Sequence, residues 1–168
     1  MSEENRKAIR ISVRNLVEFV LRSGDIDNRR SGNAQKDAML AGGRIHRKIQ
    51  KRMGSGYRAE VPLKHEVQDE EQEITLLVEG RADGIFTENG IPVIDEIKGM
   101  YTDISRLEEP IEVHLAQAMC YGYFYCCDKD LDGIRLQMTY CNLETEEIKR
   151  FQTDRSREEL ETWFSSVV

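Results

Sequence analysis

Apolar residues recur along this chain in two rhythms, one of three and four residues and one of two, and they change over at recognisable stops. In "SVRNLVEFVLRSG" the apolar positions are Val13, Leu16, Val17 and Val20, with Ser12 as a cap and Gly24 as a stop, which predicts a first amphipathic helix. The polar "DIDNRRSGN" then reads as a loop. Ala34, Ala38, Ala41, Ile45, Ile49 and Met53 return to helical spacing and predict a second helix from about residue 34 to 53. Gly42 and Gly43 interrupt it. Each costs about 1 kcal/mol relative to alanine in a helix, so they are expected to mark close approach by another backbone or a ligand.

The rhythm then shortens. "YRAEVPLKHEV" and "EITLLVEGRADGIF", separated by acidic "QDEEQ", read as an antiparallel pair, and "TENG" turns the second into "IPVIDEIK", with Asn89-Gly90 as the hairpin signal. "PIEVHLAQAMCYGYFYCC" is apolar enough all round to predict a buried helix. In "GIRLQMTYC", Ile134, Leu136, Met138 and Tyr140 alternate onto one face of a strand, and "EEIKRFQT" is expected to pair with it. Ser156 and Glu159 have capping-box spacing for a terminal helix. The predicted order is two helices, three strands, a helix, two strands and a helix, an α/β chain. Its 168 residues and 39% hydrophobic content fit a single domain, 1–168, with no internal repeat or linker.

Composition narrows the function classes. No apolar run approaches the roughly 20 residues of a membrane span, and "MSEENRKAIR" lacks a signal-peptide core, so a cytoplasmic protein with no membrane partner is expected. Cys120, Cys126, Cys127 and Cys141 lack paired C-x-x-C spacing, as reduced thiols would. A net charge of -7 argues against a nucleic-acid partner until its distribution is considered. Basic residues concentrate before residue 60 (Arg22, Arg29, Arg30, Arg44, Arg47, Lys48, Lys51, Arg52, Arg58), enough to give one basic face to phosphates or a solvated surface.

The charged cluster in "VIDEIKGM" changes the picture most. Asp95, Glu96 and Lys98 sit on a strand otherwise built from Val93, Ile94 and Ile97. Alternation places Glu96 and Lys98 on one face, Asp95 and Ile97 on the other. A hairpin register centred on Asn89-Gly90 brings Asp83 to the Glu96 end. Two facing carboxylates repel unless one is protonated or a hard divalent ion, Mg2+ or Mn2+, neutralises them. Two acids, a metal and a nearby lysine are what phosphodiester hydrolysis requires. The competing reading is an exposed Glu96–Lys98 pair on an edge strand.

Taken together these residues resemble the PD-(D/E)XK nuclease superfamily, in its RecB-like exonuclease branch. The resemblance rests on "GGRIHRKI" with His46, "AEVPL" with Glu60, "GRADG" with Asp83, "IDEIKG" with Glu96 and Lys98, and "QAMCY" with Gln117 and Tyr121, in order across residues 42 to 121. It implies a restriction-endonuclease-like core, a mixed central β-sheet flanked by helices, and metal-dependent cleavage of DNA in repair or recombination. By it Asp83 and Glu96 are metal ligands, with the Ile97 carbonyl and His46 as further ones. Lys98 positions the attacking water, while Gln117 and Tyr121 line the site. Both Glu60 and Glu66 fit the first-strand acid. Relatives that hold an iron-sulfur cluster have a cysteine before the nuclease core; with none before Cys120, no cluster is expected here.

A more particular likeness, carried by "IRISVRNLVEFVLRSGDID", is to nuclease domains of DinG- and XPD-type helicases, which implies a helicase domain or subunit as partner and fits a terminal helix that runs out at "WFSSVV". With His46 in the site, Arg44, Arg47, Lys48, Lys51 and Arg52 border the DNA path and become phosphate contacts. Core packing is the expected role of "YGYFYCC", and His114 is assigned a structural role in the first turn of its helix. The alternatives are a catalytically silent DNA-binding or docking module of the same fold, and a dimeric junction-resolving endonuclease.

Overall fold

The longest strand organises the molecule. The computed structural model describes residues 7–21 and 32–168, and at its centre β3 (Ile74–Glu88) serves three partners. One side of β3 takes the antiparallel β2 (Arg58–Asp69) along its length. The other side is shared, β1 (Lys7–Ser12) pairing in parallel with residues 74–79 and β4 (Ile91–Met100) antiparallel with residues 84–88. The β3–β4 turn is Asn89-Gly90, both at positive φ (50° and 80°), the conformation a tight hairpin needs. Beyond β4 lie the parallel β5 (Gly133–Asn142) and the antiparallel β6 (Ile148–Ser156). The result is a six-stranded mixed sheet among the described residues.

Helices cover both faces. α1 (Val13–Val20), α3 (Glu112–Lys129) and α4 (Arg157–Val167) pack on the main core, which includes Ile94 of β4. α2 (Gly32–Arg52) places Ile45 and Ile49 against Ile97 and Cys141 in a second cluster. Ile94 and Ile97 stand three apart on one strand, so the two clusters lie on opposite faces. The caps form as their spacing predicts: the side chain of Ser12 accepts from the Asn15 amide and that of Ser156 from the Glu159 amide, each at 3.0 Å. Buried on both sides, α3 includes Tyr121, Tyr123, Phe124 and Tyr125 in the core. Cys120, Cys126 and Cys141 are buried, and burial pushes the first two thiols up to about 12 and about 11.

Several expectations need correction. β1 is a strand that the apolar pattern did not predict, because four of its six residues are exposed. Among the described residues Gly42 and Gly43 mark no close approach: a side chain at Gly42 would meet nothing within 4 Å, and one at Gly43 only Arg47 of the same helix. The tight approaches are at Gly80 and Gly84 in β3, where a Cβ would lie 2.5 Å from the Tyr121 hydroxyl or overlap the Tyr57 ring. β5 is buried on both faces rather than one, since Gln137, Thr139 and Cys141 are covered as well. Gly24, Arg22, Arg29, Arg30 and residues 25–31 of the polar loop lie outside the described residues. Among the described residues no helix is long and apolar enough to cross a membrane.

Candidate active site

The site forms where two strands part. Pairing between β3 and β4 runs back from the hairpin to Gly84 opposite Asp95 and stops there. The next free amide of β4, that of Ile97, donates instead to Asp83 Oδ2 at 2.7 Å. A carboxylate thus stands in for a strand carbonyl at the base of a fork. β3 is itself irregular here: Ala82 and Ile85, three apart, both reach the main core, which strict alternation forbids. Beside them in β2, Glu60 takes a positive φ of 54°. From α2, Gln50 Nε2 donates to the Asp83 carbonyl at 2.8 Å and to Glu60 Oε1 at 3.0 Å, and His46 Nδ1 lies 3.6 Å from Asp83 Oδ1.

Glu96 and Lys98 project from β4 on the α3 side. Glu96 is 3% exposed, which rules out the reading of an exposed edge pair. Its Oε2 is 3.7 Å from Lys98 Nζ, and its Oε1 is buried with no hydrogen-bond partner among the described residues. Desolvation, then the negative charge of Asp83, raise the Glu96 pKa well above the usual carboxylate range, against the pull of Lys98. Burial raises Asp83 too, offset by His46 and the Ile97 amide. An orphaned buried oxygen on an acid that feels the charge of a second carboxylate is the chemistry of a site for a hard divalent cation, so Asp83 and Glu96 fit Mg2+ or Mn2+ as ligands; Mg2+ needs one or two carboxylates and keeps its waters. Among the described residues no three His, Cys, Asp or Glu side chains converge on one point, and His46 faces Asp83 rather than completing such a cage.

One wall of the site is α3. Gln117 is buried, and Tyr121 packs its ring against Gly80 with the Arg81 amide directed at its oxygen. Burial and the charges of Glu96 and Asp83 raise the Tyr121 hydroxyl far above its ordinary range, so it stays a phenol. On the basic helix, Arg44, Arg47, Lys48, Lys51 and Arg52 are all exposed, with Lys48 Nζ donating to Glu146 at 2.6 Å.

The reverse face of β4 carries a network that sequence reasoning missed. Asp95 accepts from Tyr57 Oη at 2.7 Å, Thr139 Oγ1 at 2.6 Å and Gln137 Nε2 at 3.2 Å, and is fully buried. Gln152 Nε2 extends the chain to Gln137 Oε1 at 2.8 Å. The available signal was a charged residue on the apolar side of a strand that threonine and glutamine flank in β5.

No described protein family and no curated protein matches the chain in sequence. The crystal structure of SSO0001 is similar in shape, with a TM-score of 0.60 and 17% identity, covering 99% of this chain and 77% of that one. The likeness extends over nearly the whole chain and speaks for the α/β fold.

Proposed function

We propose that this chain is a RecB-like, Mg2+- or Mn2+-dependent deoxyribonuclease of the PD-(D/E)XK superfamily, an exonuclease acting in DNA repair or recombination alongside a helicase domain or subunit. The observation that carries the reading is the fork, where Asp83, Glu96 and Lys98 meet and Glu96 Oε1 is left without a partner. Asp83 and Glu96 would hold the cation, which supplies Lewis acidity at a phosphate oxygen and an acidified water. The Lys98 ammonium orients the nucleophile and offsets charge that develops on phosphorus. Gln117 and Tyr121 close the α3 side against bulk water. The exposed cations of α2 contact backbone phosphates, an attraction that weakens with salt.

The test is cleavage of end-labelled single-stranded and duplex DNA in Mg2+, Mn2+ or EDTA, comparing the wild type with Glu96→Ala. Metal-dependent cleavage that the variant loses supports the nuclease, and the ladder gives its direction. DNA binding without cleavage would instead favour a silent docking module.

A further inference from the structure

His114 lies one helical turn before Gln117 and two before Tyr121, on the same side of α3. Its surroundings follow from the sheet. Lys98 of β4 is paired in register with Tyr140 of β5, and the Tyr140 hydroxyl is 3.0 Å from His114 Nδ1. That hydroxyl already accepts from the Ile111 amide, also at 3.0 Å. Tyr140 is fully buried, and its own proton has no acceptor other than Nδ1 among the described residues. The tautomer is thereby set: Nδ1 accepts and Nε2 carries the hydrogen.

Nε2 has no protein partner among the described residues, and the residue itself is only half-buried. Burial, then the charges of Lys98 and Arg14, lower the His114 pKa to about 4. At neutral pH the ring is therefore an uncharged donor beside two cations, a setting that suits an anionic oxygen and repels a donor.

We infer that His114 is a substrate-binding residue, its Nε2–H donating to a phosphodiester oxygen next to the one at Lys98 and extending the site by one linkage along α3. The inference rests on the nucleic-acid-cleaving reading, and the experiment separates the two. Fluorescence anisotropy is measured in EDTA with short labelled single-stranded oligonucleotides, unmodified or carrying one methylphosphonate at each linkage in turn. The wild type should lose about tenfold in affinity at one linkage, the worth of a charge-assisted hydrogen bond. His114→Asn, which cannot place a donor at the ε position, should bind unmodified DNA about tenfold more weakly and be indifferent to that linkage. His114→Gln returns an N–H to that position and should recover most of the loss, provided both variants melt cooperatively. An unchanged methylphosphonate profile in His114→Asn overturns the inference. Should the wild type bind but not cleave, the nuclease reading fails and the His114 inference is still decided by that profile; no binding by the wild type overturns both.

Discussion

Asp95 and Glu96 are neighbours in the chain, equally acidic and almost equally buried, at 0% and 3% exposure. They point to opposite faces of β4 and meet opposite fates. Asp95 accepts from Tyr57, Thr139 and Gln137, and its burial is compensated. Glu96 has an amide of Asp83 directed at it, one long contact to Lys98 and, among the described residues, an orphaned oxygen, and burial sets its charge against that of Asp83. Burial of a carboxylate is thus no guide to its role. The number of donors around it separates an acid that holds the strand in place from one left poised to bind.

Four experiments press on that contrast. The largest effect is expected from Glu96→Gln, with metal-dependent cleavage down roughly a thousandfold while the urea midpoint holds or rises, because a strained charge is removed. A fall in midpoint would place Glu96 with Asp95 as a structural acid. Next comes Asp95→Ala, which leaves three donors without their acceptor and should cost about 3 kcal/mol in urea unfolding. Unchanged stability there would remove the basis of the comparison.

The third concerns the poised face and pH. His114 has its folded pKa lowered to about 4 from an unfolded 6.5, so between those values the unfolded chain binds more protons and stability falls as the pH is lowered. The loss should reach about 2 kcal/mol, discounted for partial solvent access, and His114→Gln should flatten that part of the stability profile. Equal slopes in the two proteins would contradict a neutral, buried imidazole. The smallest effect is that of Tyr57→Phe, about 1 kcal/mol of stability with cleavage within a fewfold of wild type, since only one of the bonds to Asp95 is lost. A large loss of activity would mean that the reverse face tunes the proposed catalytic one.

Much of the arrangement was legible because its causes are local. The turn at Asn89-Gly90 sets the β3–β4 register within a few residues, and that register carries Asp83 to the Ile97 amide. Serine caps at Ser12 and Ser156 act over three residues. Alternation correctly separated Glu96 and Lys98 from Asp95 and Ile97. The misplaced glycines show where local reading ends. Gly80 and Gly84 are required by rings from Tyr121 and Tyr57, which nothing near them in the chain announces.

By itself, then, the sequence determined the elements from α1 to α4, the hairpin that pairs an acid with E-x-K, and the one-sided chemistry of β4, since turns, caps and two-residue alternation act on neighbouring residues. Only the tertiary structure decided that β1 is a strand, held by parallel pairing to β3 rather than by its own pattern. It alone decided that Asp95 is satisfied by Tyr57 and Thr139, 38 and 44 residues away, and that Glu96 is not. Whether a buried charge finds its donors depends on groups that only the closed sheet brings within hydrogen-bond reach.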